Sequence, residues 1–260
     1  MKLSIGGYSF HNSRVADIMD VFGYLETAKH RYRLNAVDLW NGFFCKQENG
    51  FPVLPDEGVI RKIREALDER ELVVANICLD GTHLVDDDPS LQDRLNQNAL
   101  LHLQASETLG AKTVRIDFCM GNKQDITEAE FEFIVNTYRT YCDRAAQLGY
   151  IVGPENHMGA ALNPHLLKRI AEAVDHPNFG ILLHMGRWTT DIENGDAIVA
   201  PWVMHTHIDD KSINAGKVAG SIGSLIDAGY DGHWAIEYNA KGNQYAEIEW
   251  ALSTVKRLLQ

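Results

Sequence analysis

Eight short aliphatic runs, each followed by a longer stretch that is apolar along one side only, recur from one end of this chain to the other, and few folds accept that pattern. The runs Leu3 to Tyr8, Ala36 to Trp40, Leu72 to Cys78, Thr113 to Asp117, Tyr150 to Asn156, Gly180 to His184, Trp202 to Ile208 and Trp234 to Tyr238 read as strands. Between them, Val59 to Glu69, Leu91 to Leu109, Glu128 to Leu148, Leu166 to Val174 and Tyr245 to Leu258 carry apolar residues at the three-and-four spacing of a one-faced helix. Such alternation belongs to the α/β class with a parallel sheet. Eight repeats within 260 residues fit one closed (β/α)8 barrel occupying residues 1–260, with no Pro-, Gly- or Ser-rich linker to divide it.

Three helix ends repeat one device. Leu109-Gly110-Ala111, Leu148-Gly149-Tyr150 and Ala228-Gly229-Tyr230 each put glycine where a helix must stop and turn into a strand. The segments after the strands, among them Asn41 to Pro55, Asp80 to Pro89 and Asp209 to Lys217, are longer and more polar, as expected of loops around a barrel's functional face. An open doubly wound sheet would be announced by a glycine-rich phosphate loop, but Gly6-Gly7-Tyr8 is followed by Ser9-Phe10-His11 and makes no such motif.

Composition narrows the partners. A formal net charge of −12 repels nucleic acid and anionic membrane surfaces, and 45% apolar with 23% charged residues is ordinary for a globular protein. The opening MKLSIGGYSFHNS has no apolar signal region, and no run approaches a membrane span. Cys45, Cys78, Cys119 and Cys142 are widely spaced and suggest free thiols in a reducing compartment, so a cytoplasmic location is expected. A homo-oligomer stays open.

The chemistry gathers at the last four strands. Alternation sends Glu155 and His157 to one side of the fifth strand, His205 and His207 to one side of the seventh, and Glu237 and Asn239 to one side of the eighth, while His184 closes the sixth. Charged groups at the ends of apolar strands imply either mutual pairing or a metal ion. Taken singly, each is more often a salt-bridged or hydrogen-bonded structural residue. Four at successive strand ends, Glu155, His184, His207 and Glu237, could instead surround one divalent cation with mixed nitrogen and oxygen donors.

At these residues the chain resembles the xylose isomerase-like TIM barrel superfamily of sugar isomerases, ketose epimerases and endonuclease IV. The resemblance implies that Glu155, His207 and Glu237 are metal ligands. It also implies that His184-Met185-Gly186-Arg187 stands where relatives have Asp-x-Gly-His, with His184 in the aspartate's place and Arg187 in the histidine's. A histidine there lowers the negative charge and favours Mn2+ or Zn2+, with Co2+, Fe2+ or Mg2+ as alternatives.

The resemblance further implies a metal-dependent isomerase or epimerase acting on a carbohydrate through an enediolate, with Glu155 and Glu237 as the catalytic acid and base. His157, Arg187, His205 and Lys211 are then expected to bind substrate, with Trp40 and Trp188, together with Phe43 and Phe44, as an aromatic wall. Asp38 and Asp117 could support the metal ligands or serve only as structural ion pairs. A keto-sugar lyase would use the same site. An endonuclease-like hydrolase would need further ligands, of which His83 is the one candidate after the third strand, a residue otherwise grouped with the substrate-binding set. A noncatalytic sugar-binding barrel that has lost its metal is the third alternative.

Overall fold

A computed structural model describes residues 1–121 and 123–260. Its parallel strands are β1 (Leu3–Ile5), β2 (Ala36–Trp40), β3 (Val73–Leu79), β4 (Thr113–Ile116), β5 (Ile151–Gly153), β6 (Ile181–His184), β7 (Val203–Ile208) and β8 (Trp234–Ile236). The helices that follow them are α1 (Val21–Glu26), α2 (Glu57–Glu69), α3 (Gln92–Leu109), α4 (Glu128–Leu148), α5 (Pro164–Val174), α6 (Gly195–Val199), α7 (Val218–Asp227) and α8 (Gln244–Leu258). The strands form two four-stranded arcs, β2-β3-β4-β5 and β1-β8-β7-β6. Isolated parallel bridges join the arcs at both seams, Gly6 with Asp38 on one side and Val152 with Phe179 and Glu155 with Leu182 on the other. The result is the (β/α)8 barrel expected from the repeat.

Local chemistry fixes the helix ends. Thr127 and Glu130 close a reciprocal capping box at the start of α4, and Asn163 with Pro164 starts α5. Gly110 and Gly149 end α3 and α4 at φ of 74° and 78°, the left-handed region that a side chain would strain. Ile60, Ile63, Ala66 and Leu67 of α2, and Leu167, Ile170, Ala171 and Val174 of α5, turn their apolar faces onto the sheet.

Several expected strands stop short. β1 gives way at Gly7 to a 3-10 turn that lifts Tyr8 toward the barrel mouth, and β8 ends at Ile236. β5 ends at Gly153 because Pro154 has no N–H for the ladder, and Glu155 donates its own to the Asp117 side chain instead. The segment read as a loop at the functional face, Asn41 to Pro55, contains a hairpin of Lys46–Glu48 with Phe51–Val53. Asn49 and Gly50, at φ of 51° and 79°, supply its tight turn, an Asn-Gly signal that the strand periodicity overshadowed. All four cysteines are free and buried. Among the described residues no helix is long and apolar enough to cross a membrane.

The β5/β6 seam is closed by glycine. A Cβ on Gly153 would lie 1.8 Å from the Gly180 carbonyl oxygen, so the strands cannot approach as they do with any side chain there. Gly153→Ala is therefore expected to lower unfolding stability by about 3 kcal/mol. Gly58→Ala, in the first turn of α2 with nothing within 4 Å, should be neutral or stabilising by about 0.5 kcal/mol. Urea unfolding of the two variants checks the contrast.

Candidate metal centre

The site begins inside the barrel. Asp38, fully buried on β2, accepts hydrogen bonds from Asn76 at 2.8 Å and from Nε2 of both His205 and His207 at 2.8 Å. Thr113 in turn donates to Asn76 at 2.7 Å. Burial alone would raise the Asp38 pKa, but the two imidazoles outweigh it and hold the carboxyl well below its usual range. The ladder register shifts at Val37/Asp38 and again where β6 passes His205, so irregular pairing accompanies both ends of this contact.

With Nε2 fixed on Asp38, Nδ1 of His207 faces the barrel mouth. It lies 3.4 Å from Glu155 Oε1 and 3.4 Å from Glu237 Oε2. His184 repeats the arrangement, its Nδ1 lying 3.3 Å from Glu155 Oε1 and 3.4 Å from Glu237 Oε2, while Nε2 faces Asp209 at 3.3 Å. Asn156 holds His184 in place, accepting from its backbone N–H at 2.6 Å and donating to its carbonyl at 2.8 Å. The donor atoms of Glu155, His184, His207 and Glu237 thus lie within 4.8 Å of one another, as the strand ends predict.

This set fits a cation. Ligand atoms about 2.1 Å from a metal ion stand about 3.0–3.4 Å from each other, close to the separations found here. His207 Nδ1 is buried between two carboxylates without a well-formed hydrogen bond, a position that a proton or a cation would fill. Each imidazole is also oriented from behind by a carboxylate, Asp38 for His207 and Asp209 for His184. Two further donor groups, Asp38-His205-His207 and Asp117-Glu155-His157, share members with the first.

A second ring of charge surrounds Glu155. Arg115, pointing inward from β4 and 5% exposed, puts Nε 3.3 Å from Glu155 Oε2 and its terminal nitrogens on Asp80 and Asp117 at 3.0–3.1 Å. Asp117 also takes His157 Nδ1 at 2.9 Å. Burial opposes the charged form of Glu155, but His157, His207 and His184 together hold it well below the usual carboxylate range. Glu237 is lowered as well, with burial again opposing and His207 and His184 prevailing. Its Oε1 has no hydrogen-bond or ion-pair partner among the described residues.

The cavity over this cluster holds about 450 Å3 and is lined by Glu155, His207 and Glu237 together with His157, Arg187, Lys211 and Trp40 from the expected substrate-binding set. The remaining members lie elsewhere. His205 sits beneath the floor on Asp38, because alternation on β7 stacks it one layer below His207. Trp188 turns into the outer layer, where its indole donates to Asp196 at 2.6 Å. His83 is engaged by Asp86 at 2.7 Å in the loop after β3. Phe43 and Phe44 are buried rather than rimming the mouth, and Phe43 stacks on Tyr24.

Among the lining residues that escaped the sequence reading, three carry polar or aromatic side chains that shape the site. Tyr8, packed against His11 and Trp40, forms the aromatic side of the mouth. Arg115 was legible, since alternation across Thr113 to Asp117 points it inward beside Asp117. Asp80, which braces Trp40 Nε1 at 2.7 Å and Arg115, had no periodic signal because it lies past the strand end.

Comparisons with known proteins agree with the fold. A family model described as xylose isomerase-like TIM barrel matches residues 35–258. No curated protein matches the chain in sequence. Among solved structures, an L-ribulose 3-epimerase superposes with a TM-score of 0.78 at 13% identity, over 99% of this chain and 94% of that one. A xylose isomerase-like TIM barrel protein from Mycobacterium smegmatis in complex with magnesium gives 0.71 at 14%, over 100% and 98%. A probable 3-DHS dehydratase involved in petrobactin synthesis from Bacillus anthracis gives 0.70 at 15%, over 98% and 99%. At such identities the likeness speaks for the fold.

The cluster's charge state sets how a cation would enter. Burial disfavours charge on His184, but hydrogen bonds with Asp209, Glu155 and Glu237 raise its pKa to about 9, and burial of His207 is likewise outweighed by Glu237, Asp38 and Glu155. At neutral pH both imidazoles carry protons that a metal ion must displace from Nδ1. Binding of Mn2+ should therefore release protons, with affinity rising as pH increases through about 9, where His184 gives up its proton. Calorimetry in two buffers of different ionisation enthalpy measures the release; buffer-independent heats would contradict it.

Proposed function

Since the chain belongs to the xylose isomerase-like TIM barrel family, we propose that it is a divalent-metal-dependent isomerase or epimerase of sugars or keto-sugars, with Glu155 and Glu237 moving the proton. One observation carries the reading. Two carboxylates just past β5 and β8 flank the imidazoles of His184 and His207, and Glu155, His207 and Glu237 line a cavity of sugar size. A divalent cation held by Glu155, His184, His207 and Glu237 would supply Lewis acidity beside a substrate carbonyl.

The two carboxylates are not equivalent. Glu155 is 2% exposed and pinned by Arg115, so its orientation is fixed. Glu237 is 12% exposed and keeps Oε1 open, which makes it the better group to take a proton from the carbon next to a carbonyl. The electron pair left behind passes to the carbonyl oxygen, giving an enediolate. If Glu155 first takes a proton from solvent, its delivery to the opposite face of the same carbon inverts that carbon, whereas return of the abstracted proton from Glu237 to the neighbouring carbon, with the hydroxyl proton passing between the two oxygens, moves the carbonyl. Tyr8 and Trp40 wall off one side of the cavity and limit loss of the proton to water.

The dehydratase named among the structural neighbours supports a second outcome. The same proton removal, followed by departure of a hydroxyl on the adjacent carbon, gives an unsaturated product.

Incubation with a panel of ketoses in D2O and Mn2+, followed by proton NMR, should show deuterium entering a carbon next to the carbonyl. Glu237→Gln should slow that exchange by about 10²–10⁴-fold while the protein remains folded. Exchange at the wild-type rate in that variant would remove Glu237 from the acid/base role, and loss of a substituent in the product would select the dehydratase outcome.

A further inference from the structure

The cations around the cavity are not all accounted for, and the difference bears on the substrate. Arg115 is committed, because Asp80, Asp117 and Glu155 all lie within 3.3 Å of its guanidinium. His157 is committed to Asp117. Arg187 is not. Its nearest carboxylate oxygen, Glu155 Oε1, is 3.8 Å away, and its one close contact is the ring nitrogen Nε2 of His184 at 3.0 Å. A guanidinium has five N–H donors, so most of those on Arg187 have no partner among the described residues. Lys211, from the next strand's loop, lines the same cavity with its side chain exposed and has no carboxylate partner among the described residues.

Arg187 is also held in position. Asp196 accepts from the backbone N–H of Gly186 at 3.0 Å and from the indole of Trp188 at 2.6 Å, clamping the residues on either side of it. Asn156 donates to the Arg187 carbonyl at 3.1 Å. The turn is thus fixed from the outer layer and from inside the barrel, and a side chain left at 29% exposure still faces the cavity. Fixing a cation in advance suits recognition of a fixed anion.

Resting on the sugar-processing reading of the site, we infer that the substrate is a sugar acid whose carboxylate is taken by Arg187, with Lys211 beside it. A planar guanidinium matches a carboxylate through two parallel hydrogen bonds. A phosphate fits less well. The short helix Asp210–Asn214 next to the cavity starts on the Asp209 carboxylate, which accepts from the Ser212 N–H at 2.7 Å, so its N-terminus already carries an anion. The carboxylates of Glu155, Glu237, Asp38, Asp80 and Asp209 also penalise a dianion more than a monoanion.

Binding of D-fructuronate, D-fructose and D-fructose 6-phosphate to the Mn2+-loaded protein, followed calorimetrically, tests the inference. The uronate should bind about tenfold to hundredfold more tightly than fructose and more tightly than the phosphate. Arg187→Gln should collapse the uronate-to-fructose ratio toward one, Arg187→Lys should restore part of it, and Lys211→Ala should reduce it less. Equal affinities in the wild type, a phosphate preference, or a ratio unchanged in Arg187→Gln would overturn the inference. Uronate selectivity without deuterium exchange into the uronate would support it while sinking the isomerase reading. Exchange into fructose without uronate selectivity would do the reverse.

Discussion

Asp38 joins the closure of the barrel to the chemistry at its mouth. Its backbone makes the bridge to Gly6 that links β1 to β2, and both its N–H and its carbonyl meet the Tyr24 hydroxyl. Its side chain reaches across the interior to His205 and His207 on β7. A buried carboxylate without such partners would be costly, and with one partner removed the remainder would be left as an uncompensated charge. The barrel interior is therefore organised by electrostatics as much as by apolar packing. Fixing Nε2 of His207 from below is what turns Nδ1 upward.

Above that layer Glu155, His157, His184, His207 and Glu237 are each held by another ionisable group. Glu155 and Glu237 face His184 and His207, Arg115 locks the far oxygen of Glu155, and Asp117 binds both Arg115 and His157. Protons on the imidazoles and a metal ion between them are alternative ways to balance the same carboxylates. That equivalence explains how a cluster buried this deeply can be stable and still accept a cation, while Arg115 leaves the two carboxylates with different freedom.

Strand number, strand order and the inward alternation at β7 and β8 were legible because they follow from a period of two repeated over eight apolar runs. The four converging donors were legible for the same reason. What periodicity could not give was direction beyond a strand end. Trp188 follows His184 by four residues yet turns outward, because Gly186 at φ of 71° reverses the chain and Asp196 captures the indole. His205 shares a face with His207 but sits a layer deeper, and Tyr8 reaches the mouth only because β1 breaks into a 3-10 turn. The Asn49-Gly50 hairpin was written plainly in the sequence and was masked by the larger repeat.

The donor atoms of Glu155, His184, His207 and Glu237 are close enough to hold one cation together. Crystals grown with Mn2+ and measured at the manganese absorption edge test it most directly. A single anomalous peak within coordination distance of all four side chains is expected. With Mn2+ in excess, a peak on any other donor set, or none at all, would contradict it.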